Sequence, residues 1–285
     1  MTPLGEAGQD VDILLSARDI TMRFGGVVAL DGLSFDIGTG QICGLIGPNG
    51  AGKTTLFNVV SRIYQPQQGA LMYRGTDLLR VPAHRIARLG IARTFQNLAL
   101  FPTMTLLENV MVGAHRRGSV GYGRAIFRVG AAAENRRTRD FAGHLLTRLG
   151  LDSLAFRPAA GLPFGTLKRL EIARALAAEP SFLLMDEPAS GLTHGEVDEL
   201  GGTIAAIRDE FNLTVLLVEH HMSMVMSISD RVVAMEFGRK IAEGTPSQVQ
   251  TNPDVIEAYL GVDNTHDTAP DVADDSVSAA NEELR

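Results

Sequence analysis

Residues 47–54 read Gly47-Pro48-Asn49-Gly50-Ala51-Gly52-Lys53-Thr54, the spacing G-x-x-x-x-G-K-[ST]. Glycines at that spacing let backbone N–H groups turn inward around phosphate oxygens. Lys53 is placed to reach the β- and γ-phosphates of a nucleotide, and the Thr54 hydroxyl to hold Mg2+. A second group of residues supplies acid. Ser181-Phe182-Leu183-Leu184-Met185 is an apolar run that ends in Asp186-Glu187. Two carboxylates at the end of a buried parallel strand, beside a phosphate loop, suit metal-assisted hydrolysis. Asp186 is the expected magnesium partner, directly or through water, and Glu187 would polarise the attacking water.

Such residues work only if strands and helices hold them. Ile42-Cys43-Gly44-Leu45-Ile46 leads into the loop as a buried strand, and Leu56-Phe57-Asn58-Val59-Val60 leaves it as a helix. That is the strand–loop–helix context a phosphate loop requires, with the helix N-terminus adding partial positive charge. Upstream, Leu14 to Phe24 and Val27 to Ile37 read as an antiparallel hairpin turning at Gly25-Gly26. Gly69 to Gly75 reads as a short strand and turn, Pro82 to Leu89 as helical, and Ile91 to Gln96 as extended. From about 97 to 165 strand signals disappear, and helices are expected at 105–115 and 134–149. The α/β pattern then resumes. A helix is expected over Leu167 to Ala178, with Gly165 at its start, then the 181–187 strand and a helix near 195–210. The strand Leu213 to Val218 follows, with His220 and His221 after its end. Two short strands over Arg231 to Ala242 and a helix over Pro253 to Leu260 close the pattern.

The chain has 285 residues, 45% of them apolar, enough for a sizeable core. Its net charge of −7 is uneven, because residues 263–285 carry −6 and residues 1–12 carry −3. Both ends are acidic and poor in large apolar residues and are expected to be disordered. The one cysteine, Cys43, lies in the apolar strand and reads as a buried small hydrophobe, consistent with a reducing compartment. No signal peptide and no membrane span are expected, since no apolar run approaches 18 residues. Arg116, Arg117, Arg124, Arg128, Arg136, Arg137 and Arg139 cluster within the helical region. With only Tyr122 and Phe127 among them, they read as a solvated or docking face, so nucleic acid is not an expected partner.

Further motifs narrow the reading, beginning with the absence of a guanine-reading N-K-x-D. Phe24, residues 47–55, Gln96 in Arg93-Thr94-Phe95-Gln96-Asn97, Leu162-Pro163-Phe164-Gly165-Thr166, Asp186-Glu187 and His220 stand in the order of the nucleotide-binding subunits of ABC transporters. The chain resembles that family over about residues 13–262. The resemblance implies an α/β P-loop NTPase fold of the ABC ATPase type. It would have an antiparallel β subdomain and a helical subdomain inserted at about 97–165, flanked by ends at 1–12 and 263–285. It implies that Phe24 stacks on adenine and that Asn49, Gly50, Ala51, Gly52, Lys53, Thr54 and Thr55 bind the phosphates. Thr54, Gln96 and Asp186 would serve Mg2+, with Glu187, His220, Lys53 and Gln96 as the catalytic set. Two such subunits would pack head to tail over two ATP molecules, Gly165 of each facing the other's γ-phosphate.

The resemblance is narrower still to the ATP-binding proteins of branched-chain amino acid importers, through Ile91 to Asn97, Arg169 to Leu176, Val218-Glu219-His220 and Asn252 to Gly261. Urea and amide importers use close relatives. The implied partners are membrane permease subunits, a second ABC ATPase subunit and, indirectly, a substrate-binding protein. The implied location is peripheral, on the cytoplasmic face of the cell membrane. Two competing readings are a soluble ABC ATPase outside transport, which usually joins two such domains, and a non-hydrolysing scaffold. The chain departs from the family pattern where Pro163 replaces the signature serine, Thr166 its glutamine, and Thr193-His194 a usual Asp or Asn.

Overall fold

The computed structural model describes residues 12–94, 98–114 and 131–263. Gln96, Arg116, Arg117, Arg124, Arg128 and the acidic ends beyond residues 12 and 263 lie outside them.

Two sheets organise the described residues. The hairpin forms as expected: β1 (Ile13–Phe24) pairs antiparallel with β2 (Val27–Gly38), and β1 also pairs with β4 (Gln68–Tyr73). With β5 (Thr76–Asp77) the order is β2-β1-β4-β5. The second sheet has β3 (Ile42–Ile46), β6 (Ile91–Arg93), β7 (Phe182–Asp186), β8 (Thr214–Val218), β9 (Arg231–Glu236) and β10 (Arg239–Gly244). Its order is β10-β9-β3-β8-β7-β6, parallel except for β10 against β9.

Strands β3, β7 and β8 are buried at every position. Alternation divides their side chains between two cores. Cys43, Leu45, Phe182, Leu184, Leu216 and Val218 meet the antiparallel sheet and α1 (Lys53–Val60). Ile42, Leu183, Met185, Val215 and Leu217 face the helical region. That region holds α3 (Leu106–Gly113) and α4 (Ala131–Arg148); α2 (Ala83–Ile86) comes before it, continuing as a 3-10 turn to Leu89. α5 (Phe164–Leu176) and α6 (His194–Phe211) complete the same core. Arg136, Arg137 and Arg139 are exposed on α4. Burial pushes the Cys43 thiol up to about 12, so it behaves as a hydrophobe. Among the described residues no helix is long and apolar enough to cross a membrane.

Some boundaries differ from expectation. α5 begins at Phe164, three residues before Leu167, because Pro163 caps it with extended backbone (ψ 148°). Of the strand expected over Ile91 to Gln96, β6 spans Ile91–Arg93, and the Thr94 N–H still bonds the Leu184 carbonyl at 2.9 Å. Two short helices were not expected, α7 (Met222–Ile228) and α8 (Pro246–Gln250). The last helix, α9 (Pro253–Asp263), runs past the expected Leu260.

Candidate active site

The phosphate loop hangs between β3 and α1. Its backbone needs glycine at Gly52, where φ is 102° and a Cβ would stand 2.4 Å from the Ala29 carbonyl oxygen. The loop is thus pressed onto β2. Asn49, Gly50 and Thr54 are exposed, Thr55 is half-buried and Ala51 is buried, its carbonyl accepting from the Gly238 N–H at 3.0 Å. Lys53 is buried, and its Nζ donates to the carbonyls of Gly47 (2.6 Å) and Pro48 (2.9 Å). Burial pushes the Lys53 ammonium below the usual lysine range, while Glu187 and then Asp186 oppose the shift. Lys53 therefore lies in the field of both carboxylates, even though β8 separates β3 from β7 in the sheet.

Asp186 ends β7 and is 3% exposed. Burial raises its carboxyl above the usual range, opposed chiefly by Arg93. Arg93 Nη2 donates to Asp186 Oδ2 at 2.7 Å, and its Nη1 to Asn58 Oδ1 at 2.7 Å. Among the described residues no group of three or more His, Cys, Asp and Glu could hold a metal. One carboxylate and the Thr54 hydroxyl are hard oxygen donors of the kind magnesium takes when phosphates and water complete its shell. The residues present therefore fit that ion.

Glu187 follows in a left-handed conformation (φ 49°) that is costly for a residue with a Cβ. Its N–H donates to the Val218 carbonyl at 2.9 Å, and its Oε1 stands 2.9 Å from His220 Nε2. Its carbonyl accepts from buried Lys168 Nζ on α5 at 3.4 Å. His220 is held from behind by Glu219, a carboxylate only 1% exposed. Glu219 accepts from the N–H groups of Ala189 (2.5 Å), His220 (3.0 Å) and His221 (3.4 Å). The ring of His221 also lies on it, Nδ1 at 3.1 Å.

Phe24 is half-exposed at the turn end of the hairpin, paired with Val27 and edge-on to Tyr64 with ring centres 5.1 Å apart. Two residues earlier on β1, Met22 pairs with Leu30, which touches Gly52. An aromatic face thus stands about 7 Å along the strand from the loop's backing. Gly165 lies in the first turn of α5, packed against Leu192 and Glu196 rather than the loop. Pro163 and Phe164 are exposed and Thr166 is buried. Thr193 caps α6, its N–H and hydroxyl donating to Glu196 Oε2 at 2.9 and 2.8 Å.

The structure thus brings Lys53, Asp186, Glu187 and His220 together at the strand ends, with Thr54 beside Lys53. Sequence reasoning assigned no role to Arg93, Lys168 or Glu219. A glutamate closing the apolar run Val215 to Val218 of the fully buried β8 was the available signal for Glu219.

Two family models match the chain: ABC transporter, over residues 30–190, and branched-chain amino acid ATP-binding cassette transporter, over residues 239–264. The chain is 44% identical to the high-affinity branched-chain amino acid transport ATP-binding protein BraF of Pseudomonas aeruginosa, over 87% of this chain and 98% of that one. It is 42% identical, with the same coverage, to LivG of Escherichia coli strain K12, which bears the same description. Among solved structures it is similar to the ADP conformation of MJ1267, an ATP-binding cassette of an ABC transporter. That match has a TM-score of 0.77 and 30% identity, over 87% of this chain and 99% of that one. A nucleotide-free cassette from an ABC transporter superposes with a TM-score of 0.75 at 29% identity, covering 87% and 98%.

Proposed function

The chain belongs to the ABC transporter family, and on that premise we propose that it is the ATP-hydrolysing subunit of a branched-chain amino acid importer. One observation carries the hydrolytic part: Glu187 and His220 meet at 2.9 Å beside Asp186 and within the field of Lys53. The family and the relatives' names support the transport part.

On this reading Lys53 exchanges the Gly47 and Pro48 carbonyls for the β- and γ-phosphates of ATP. The N–H groups of the loop and of the first turn of α1 take the phosphate oxygens. Thr54 and Asp186 hold Mg2+, with Gln96 as a further proposed ligand; the ion supplies charge neutralisation on the phosphates. Glu187 accepts the proton of the attacking water. His220 fixes the Glu187 carboxylate and reaches the γ-phosphate, and Phe24 stacks on adenine. Gly165, with the positive end of α5, faces the ATP of a second ATPase subunit.

A cleft of about 340 Å3 lined by Ala92, Arg93, Ala99, Gly113, Glu171 and Arg174 lies beside β6, between it and the helical region. We propose it as the seat for a permease segment, in keeping with a peripheral position on the cytoplasmic face of the membrane.

Uptake of radiolabelled leucine by cells carrying the wild-type or the Glu187→Gln chain tests the reading. Loss of a general base costs about 10²–10⁴ in rate. Uptake should fall at least a hundredfold while the variant still binds ATP. Undiminished uptake would reject the reading.

A further inference from the structure

Asp186 has a second cationic claimant. The Arg93 guanidinium takes Oδ2 of this carboxylate at 2.7 Å, and the two side chains are 13% and 3% exposed. Its other arm crosses to α1, where Nη1 donates to Asn58 Oδ1 at 2.7 Å and reaches Ser61 Oγ at 3.4 Å. The plane lies over the Phe57 ring, 5.5 Å from its centre. A rigid planar fork can span these points, which an ammonium cannot do. Lys53 and Lys168 add positive charge in the same region, and Glu187 adds negative charge. A divalent cation on Asp186 would meet the fixed charge of Arg93 at close range, in surroundings poorly screened by water.

From this geometry we infer that Arg93 is a positioning residue, an exchangeable counter-ion that competes with magnesium for Asp186 and so sets the magnesium concentration at which nucleotide is held. The inference rests on the reading of Asp186 as the magnesium carboxylate. Arg93 also lines the cleft beside β6, so a protein segment seated there would touch the side chain that competes with the metal.

The test uses the purified full chain, a fluorescent ATP analogue at fixed concentration and a titration with MgCl2, read as nucleotide binding. Arg93→Met should lower the magnesium midpoint about tenfold, equivalent to about 1.4 kcal/mol. Analogue affinity in EDTA should stay within about twofold, and Arg93→Lys, which keeps the charge without the fork, should return the midpoint part of the way to wild type. A structural role alone would weaken binding with and without magnesium alike. Arg93→Gln, which keeps hydrogen bonding to Asn58, serves if the Met variant does not fold. Asp186→Asn separates the two failures. If it raises the midpoint and neither neutral Arg93 variant lowers it, the counter-ion inference is overturned alone. If Asp186→Asn leaves the midpoint unchanged, the assignment of Asp186 fails and the inference falls with it.

Discussion

Glu219 shows how one residue fixes the position of another. It faces no substrate, yet its buried carboxylate collects three backbone N–H groups and a histidine ring at the turn that presents His220. Hydrogen bonds to a charged group are worth about 1.5–3 kcal/mol each, and donors left unpaired in the interior cost about 1–3 kcal/mol. Glu219→Ala should therefore destabilise the fold by about 2–5 kcal/mol, with Glu219→Gln less harmful. Thermal denaturation would register this as about 2–4 °C per kcal/mol. An unchanged melting temperature would remove Glu219 from the account. Lys53, Thr54, Asp186 and Glu187 could be found from the sequence because their spacing along the chain carries their chemistry. Arg93 could not, and Glu219 only as an acid closing an apolar run, because their partners come from strand register and from a turn. Asn58 is 35 residues from Arg93, Asp186 is 93 away and Ala189 is 30 from Glu219.

Elements with strong internal signals were the readable ones. The hairpin, β3, β7 and β8 announced themselves through apolar runs and glycine turns, and all formed close to the expected bounds. α7 did not. Met222-Ser223-Met224-Val225-Met226-Ser227-Ile228 alternates in a way that also suits a strand, and it has too few turns for a clear helical period. Packing decided it, since Met224 and Val225 enter the interior and the Val225 N–H bonds the His221 carbonyl at 3.1 Å. α5 started early because proline at a helix entrance loses no intrahelical bond, whereas the apolar spacing became clear only from Leu167. At this scale the phosphate loop also makes a prediction. Gly52→Ala puts a Cβ 2.4 Å from the Ala29 carbonyl in left-handed backbone. It should cost about 1–3 kcal/mol of stability and weaken ATP binding, read by calorimetry with and without nucleotide. Wild-type affinity in that variant would mean that the loop does not depend on this conformation.

For the molecule as a whole, the unusual signature bears on how paired sites share work. Pro163 offers no hydroxyl and no N–H at the entrance to α5, where the family places serine. A lost charge-assisted hydrogen bond is worth roughly 1.5–3 kcal/mol, or about ten- to a hundredfold in rate if made only in the transition state. In a mixed dimer, the site this signature completes should turn over slowly, and the site built on this chain's Lys53, Asp186, Glu187 and His220 should carry most of the hydrolysis. Glu187→Gln here should then remove most ATPase activity, and the equivalent change in the partner should remove little. The reverse pattern would contradict the asymmetry.

The central proposal is that this chain, packed over ATP against a second ATPase subunit, drives a permease, and one measurement addresses it directly. The Glu187→Gln chain, tagged and captured with ATP from its native membranes, is analysed by mass spectrometry for what it holds. The account predicts permease subunits and a second ATPase, retained with ATP and depleted without it. Recovery of ribosomal or DNA-bound proteins with no permease would contradict it.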